Sequence, residues 1–321
     1  MKFVQLGRTG TRVSNICFGT MSFGSYSDAK TARAMYDACR DKGINFFDCA
    51  NSYAGGGKAE AILGECMAAD RQDVVITTKV CRPMSKDPNG SGLSRRHIMQ
   101  EVENSLRRLK TDYIDVYFAH HYDPFTPPEE TLRAFDDLRR QGKILYAGVS
   151  NWAAWRIAQA LGISQREGLA RFDVVQPMYN LVKRQAEDEL FPLAQEMGLA
   201  VMVFSPLASG LLTKANADVN GPRTGRLAEA RYLKRYEDQR NFEIAAAFCQ
   251  IAAEIAVDPA MLAVAWAASH PAVTTPIIGA ETVEQIDNYV DAVAFDMTPE
   301  LRARIAALAP RSDYEIERTI D

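Results

Sequence analysis

Eight short apolar runs recur along this chain, separated by amphipathic stretches of helical period, and that alternation limits its fold more than any other feature. The runs cover residues 16–20, 45–50, 74–79, 113–120, 144–150, 174–178, 200–205 and 276–279. Helical spacing of apolar residues marks 29–40, 59–69, 95–109, 129–140, 152–161, 186–197 and a long stretch over 242–268. Strands joined by crossover helices pair in parallel, and eight such units close into a (β/α)8 barrel. A length of 321 residues suits one α/β barrel, so the reading is a single domain over 1–321. Gly43 and Gly142 follow helical stretches, where a left-handed residue ends the turn, and Asp258-Pro259 and Thr298-Pro299 set a cap before a proline at a helix start. Residues 2–14 read as two short strands around a glycine-rich turn, a hairpin that plugs the bottom of the barrel. Two segments stand outside this scheme: a long polar loop over 211–240, with Gly221-Pro222 and Gly225, and a polar tail beyond Pro310. Loops of that length in compact domains are usually functional.

Composition removes several classes of function. Net charge is −4 with both signs interspersed, which leaves no electrostatic footprint for nucleic acid or an anionic membrane. No apolar run has transmembrane length, and Met1-Lys2-Phe3-Val4-Gln5-Leu6-Gly7 lacks a signal-peptide core, so the expected compartment is the cytoplasm. The six cysteines at 17, 39, 49, 66, 81 and 249 form no Cys-x-x-Cys pair and have no histidine at zinc spacing. They read as reduced small hydrophobes; Cys49 adjoins Asp48, but strand alternation sends it to the opposite side.

Asp48, Tyr53, Lys79 and His120 lie at or just beyond the C-terminal ends of three successive runs. If these strands are parallel neighbours about 4.8 Å apart, their ends gather a carboxylate, a phenol, an ammonium and an imidazole into one pocket. A lysine held against an aspartate and beside a tyrosine is expected to lower the phenol from its usual value of about 10, giving a general acid usable near neutral pH. Taken singly, each residue has a plainer reading. Asp48 and Lys79 fit the solvated lip of a loop, Tyr53 a half-buried phenol, and His120 beside His121 a loop histidine or half of a metal site. Together they occupy the strand ends where barrel enzymes place catalytic groups.

The motifs extend this pattern along nearly the whole chain. Leu6-Gly7-Arg8-Thr9-Gly10, Phe18-Gly19-Thr20-Met21, Phe47-Asp48-Cys49-Ala50-Asn51-Ser52-Tyr53, Thr78-Lys79, residues 112–120, Gly148-Val149-Ser150-Asn151, Gln176-Pro177-Met178-Tyr179-Asn180, Phe204-Ser205-Pro206-Leu207 and Ile278-Gly279-Ala280 follow one another in order. With these motifs the chain resembles the aldo-keto reductases, in the bacterial branch related to potassium-channel β-subunits. The resemblance implies a nicotinamide-dependent carbonyl reductase working on a small-molecule carbonyl substrate. Its tetrad falls on Asp48, Tyr53, Lys79 and His120: Tyr53 protonates the carbonyl oxygen, Lys79 tunes Tyr53, Asp48 holds Lys79, and His120 orients the carbonyl. It also implies NADP(H) as cofactor, while the departures at Gly279, Glu281 and Gln285 described below lead to the expectation that NAD(H) is usable as well. Thr20, Met21 and Asp48 are placed among the cofactor-binding residues, Ser150, Asn151 and Gln176 at the carboxamide, and Phe204 against the nicotinamide ring. Ser205, Pro206, Leu207 and Gly210, with Lys214 and Arg226, wrap the pyrophosphate; for Phe204 a core position, and for Lys214 a solvated one, stand as the alternatives.

The adenosine end departs from the family pattern. Gly279, Glu281 and Gln285 stand where cations are expected in NADPH-demanding relatives, and Tyr289 takes the place of the usual adenine-facing asparagine. A carboxylate accepts from a ribose hydroxyl but repels a 2′-phosphate. Arg226 compensating for it, or Glu281 facing water, are the competing readings. Met21, Phe23, Tyr26, Tyr122, Phe125, Trp152 and Tyr179 are candidate substrate walls, favouring an apolar or cyclic carbonyl compound, with a core position as the alternative for several of them. Two other functions stay in view: a nicotinamide-binding regulatory subunit with little turnover, and a metal-dependent hydrolase using His120 and His121 with His97 or His270. The last is weakened because neighbours on a strand point to opposite faces, and no metal site is assigned.

Overall fold

In a computed structural model that describes residues 1–309, strand pairing closes a parallel barrel. The tail from Pro310 onward lies outside the described residues. Strands β1 (Phe3–Gln5) and β2 (Arg12–Ser14) form the expected antiparallel hairpin. The barrel strands follow as β3 (Cys17–Gly19), β4 (Phe46–Asp48), β5 (Val75–Val80), β6 (Ile114–Ala119), β7 (Ile144–Ser150), β8 (Phe172–Gln176), β9 (Ala200–Val203) and β10 (Thr275–Ile278). Each pairs with the next, and β10 closes the ring against β3. The strand at 174–178 begins two residues earlier than its apolar run suggests, with Phe172 opposite Ala147 of β7.

Helices α1 (Ala29–Asp41), α2 (Lys58–Cys66), α3 (Arg95–Leu109), α4 (Pro128–Arg140), α5 (Ala154–Glu167) and α6 (Leu190–Met197) form the crossovers. Local chemistry sets their ends. Asp28 and Ser94 accept from the amides of Thr31 and His97, and Gly43 and Gly142 turn the chain at φ of 80° and 71° after α1 and α4. Two expectations need correction. The polar stretch 211–240 contains 3-10 turns at Lys214–Asn216 and Gly225–Ala228 and a helix, α7 (Ala230–Tyr236). The 242–268 stretch is two helices, α8 (Gln239–Glu254) and α9 (Pro259–Ala268), bent by 100°. Asp258 caps α9 and Pro259 lacks the amide that would continue α8, so the chain must turn there. Helices α10 (Glu284–Ala292) and α11 (Pro299–Ala306) complete the described chain. Among the described residues, no single helix is long and apolar enough to cross a membrane.

Side-chain alternation divides the interior into two cores. Outward-facing strand residues pack against the helices. Inward-facing Cys17, Phe46, Val75, Val116, Phe118, Val174, Met202 and Ile277 fill the lumen, and Leu6 and Val13 of the hairpin seal its lower end. Gly148 is required by this packing, because a Cβ there would meet the Phe118 ring at 2.4 Å. Two residues further along several of these strands, on the same inward side, the apolar filling gives way to Asp48, Thr77, Lys79 and Gln176. The lumen ends where a polar site begins.

Candidate active site

Parallel register sets the ends of β4 and β5 side by side, with Asp48 opposite Thr77. Lys79 is completely buried and Asp48 is nearly so, at 0% and 4% side-chain exposure. An ammonium carries three donors, and here each finds an acceptor: Asp48 Oδ2 at 2.7 Å, the Cys49 carbonyl at 2.6 Å and the Tyr53 hydroxyl at 3.2 Å. Asp48 Oδ1 in turn accepts from Thr77 Oγ1 at 2.6 Å and Gln176 Nε2 at 2.8 Å. A buried charge costs too much unless it is paired and hydrogen-bonded, so this saturation makes the ion pair tenable. Because Tyr53 accepts from Lys79, its own O–H remains available to donate.

The electrostatics correct one expectation. Burial pushes the Tyr53 phenol up; Lys79 pulls it back and Asp48 pushes it further, and the balance lies above the ordinary tyrosine value. Lys79 therefore acts in the expected direction, but burial outweighs it. Burial alone would pull the Lys79 ammonium down, yet Asp48 and Tyr53 hold it above the usual lysine range. His120 is held well below the usual histidine value by burial and then by Lys79, His121 and Arg82, so it is neutral.

His120 stands edge-on to Tyr53, ring centroids 6.2 Å apart, and its Nδ1 is buried with no hydrogen-bond partner among the described residues. Its neighbour His121 does not point away. The two rings stack at 4.7 Å, since both lie past the end of β6 where strand alternation no longer applies. His121 Nε2 accepts from Arg82 Nε at 3.1 Å, and burial with Arg82 pushes it down to about 4. Among the described residues, no group of three or more His, Cys, Asp or Glu side chains is placed to hold a metal.

Further round the mouth, Ser150 Oγ donates to the Gln176 carbonyl at 2.8 Å, and Asn151 Nδ2 donates to the His120 carbonyl at 3.0 Å. Gln176 Nε2 donates one of its two N–H groups to Asp48 Oδ1 at 2.8 Å, leaving the other N–H and Oε1 for a ligand. Thr20 is buried, donating to the Asp48 carbonyl at 3.0 Å, and Met21 is half-buried. Phe204 is partly buried against the top of the lumen, which serves both readings of it. After Phe204 the backbone turns left-handed at Ser205, Ala208, Ser209 and Gly210. Ala54, Cys81 and Asn151 are also left-handed, so most of the strained non-glycine residues gather in loops at this end of the barrel. Lys214 is exposed. Arg226 reaches Glu281 with Nε to Oε1 at 3.7 Å and lies over the Tyr26 ring at 5.0 Å. Gly279 keeps space beside this guanidinium, whose nitrogens would lie 3.7 Å from an added Cβ, and Gln285 Oε1 accepts from the Glu281 amide.

Three candidate substrate walls belong to the core instead. Phe23 is fully buried against Phe18, and Tyr179 stacks on Trp266 and donates to Glu187. Their aromatic character reports packing. Trp152 is likewise buried, packed edge-on against Phe172, whereas Tyr122 and Phe125 lie in the loop after β6 and Tyr26 donates to Glu229. Sequence reading passed over Thr77, although it sits two residues before Lys79 on the same inward face. It also missed Glu60, a buried carboxylate of α2 held by Thr78 and Arg108 behind β5; its place in helical spacing gave no signal.

The sequence profile of the Aldo/keto reductase family matches residues 15–310. An uncharacterised oxidoreductase of Bacillus subtilis (strain 168) is 38% identical, over 97% of this chain and 96% of its own length. A probable voltage-gated potassium channel subunit beta of Oryza sativa subsp. japonica is 39% identical, with 96% of each chain covered. Versiconal hemiacetal acetate reductase of Aspergillus parasiticus is 32% identical over 94% of both. Likeness of that extent on a closed barrel places the chain in the aldo/keto reductase family.

Proposed function

We propose that the protein reduces aldehydes or ketones to alcohols, reversibly, with Tyr53 as the general acid. The observation that carries this reading is the Tyr53 hydroxyl, which accepts from a buried Lys79 and keeps its own proton free at the barrel mouth. When bound, a nicotinamide cofactor supplies the hydride. Tyr53 delivers its proton to the carbonyl oxygen, and the phenolate left behind is stabilised by the Lys79 ammonium beside it. In the opposite direction the same phenolate takes the proton from the alcohol. Asp48 keeps Lys79 charged and in place; His120, being neutral, can donate one hydrogen bond to orient the carbonyl.

The residues fit a dinucleotide. Ser150, Asn151 and the free Gln176 oxygen suit a carboxamide, Phe204 offers a ring face, and the left-handed turn from Ser205 to Gly210 makes the kind of concave backbone that receives phosphate. Lys214 and Arg226 lie on the segment after it, and Gly279, Glu281 and Gln285 border the tail. NADPH is the preferred cofactor in this reading and NADH is also used, because Glu281 offsets the one guanidinium beside Gly279. A second reading, a nicotinamide-binding regulatory subunit with little turnover, is favoured by the channel-subunit names of two relatives 39% and 38% identical. A panel of carbonyl compounds and alcohols, run with each nicotinamide cofactor, separates the two. Turnover of generic aldehydes is expected; cofactor binding with no turnover across the panel would favour the regulatory subunit.

A further inference from the structure

Two guanidinium groups stand on the segments that follow the ends of β5 and β7, on either side of the segment carrying His120, and neither forms an ion pair with a carboxylate among the described residues. Arg82 reaches His120 through His121, and Arg156 lies over the ring of Tyr122, two residues beyond His120 on the same loop. Arg156 belongs to the first turn of α5, just past Asn151, whose side chain donates to the His120 carbonyl. Its guanidinium is held between two rings, 3.5 Å from the centre of Tyr122 and 4.5 Å from that of Trp155. A planar cation stacked in this way is oriented while its N–H edge stays free for an acceptor. The nearby carboxylate does not neutralise it. Asp123 is buried and engaged by the amides of Leu93 and Phe125 and the hydroxyl of Thr126. That same loop, fixed by Asp123, holds the Phe125 ring out at 93% exposure, and Trp155 is 58% exposed. The rim beside the catalytic histidine is thus aromatic and positively charged.

The geometry points to a substrate that carries both a ring and a carboxylate, with Arg156 binding the carboxylate while the carbonyl enters toward Tyr53. This assignment rests on the reductase reading above and narrows it to anionic, ring-bearing carbonyl compounds. Arg156 is a specificity residue here and takes no part in proton transfer.

A matched pair of probes isolates the charge: 4-formylbenzoate and its methyl ester, which share ring and aldehyde. The wild-type protein is expected to show the lower KM for the acid, and added salt should erase the difference, because the contact lies at a solvated rim. Arg156→Met should raise KM for the acid by about tenfold and leave the ester within about twofold, with kcat little changed for both. Arg156→Lys should recover part of the loss. Turnover of the ester by each variant reports that the fold and the reductase chemistry are intact. If neither aldehyde is turned over, the reductase reading fails, and acid against ester binding, followed by tryptophan fluorescence, still decides the role of Arg156. Equal binding of acid and ester by the wild type, or equal losses for both in Arg156→Met, would overturn the assignment.

Discussion

The Lys79–Asp48 ion pair at the strand ends and the Arg226–Glu281 pair on the loops obey opposite rules. Lys79 and Asp48 meet at 2.7 Å in the interior, where all three Lys79 donors and both Asp48 oxygens have partners. Arg226 and Glu281 approach only to 3.7 Å, with side-chain exposures of 21% and 40%. Breaking a buried pair strands a charge and costs about 3–5 kcal/mol, whereas a solvated pair contributes about 0–1 kcal/mol. The first is therefore built before any ligand arrives, and the second is free to exchange partners with one. In the function proposed above, chemistry rests on the rigid pair and cofactor selection on the adaptable one.

Removing the transferable proton tests the rigid end most directly. Tyr53→Phe should lower kcat by about 10²- to 10⁴-fold, the usual worth of a general acid, while cofactor affinity measured by fluorescence titration stays near wild type. Near wild-type turnover would end the assignment of Tyr53.

Lys79→Met probes the charge beneath it. Activity should fall by roughly two orders of magnitude and the melting temperature should drop, because Asp48 is left buried without its partner. The pH profile carries the sharper information. Tyr53 donates only while protonated, so reduction is lost as pH rises through its pKa. Without Lys79 the effect of burial is less opposed, that pKa climbs further, and the alkaline fall in kcat/KM should move upward. In the wild type both histidines are neutral, His121 having been pushed down to about 4. The profile should then be flat from about pH 5 to 8, where an unshifted histidine would titrate. A step near the ordinary histidine value, or an alkaline limb that Lys79→Met does not move, would show that burial and the ammonium do not govern this site.

The smallest effect belongs to the adaptable pair. Glu281→Arg frees Arg226 and adds a second cation, so the ratio of kcat/KM for NADPH to that for NADH should rise about tenfold, or about 1.4 kcal/mol. Steady-state kinetics with each cofactor at saturating carbonyl compound measures it. If the ratio is unchanged and already strongly favours NADPH, Glu281 does not oppose the phosphate and the contrast drawn between the two pairs is wrong.

The placement of Asp48, Lys79 and His120 was legible because strand ends are written locally: an apolar run stops and a titratable residue follows. The closure of the barrel was legible from repetition of the same alternation. Other features depended on what lies opposite in space. Phe23 and Tyr179 look like pocket aromatics along the chain, yet each faces another ring in the packed shell. Gln176 reads along the chain as a ligand-facing amide, and only β8 curving round the barrel brings it within 2.8 Å of Asp48, 128 positions away, and adds that second contact. The break between α8 and α9 was marked by Asp258-Pro259, but continuous apolar spacing hid it.

By itself, then, the sequence determined the alternation of strands and helices, the caps and turns between them, and which titratable groups end β4, β5 and β6. These are consequences of neighbours a few residues apart. Tertiary structure decided the direction of the Tyr53 pKa, the second role of Gln176 and the placing of Arg156 between Tyr122 and Trp155. Burial and Coulomb interactions depend on distance through space, and only closure of the barrel sets those distances.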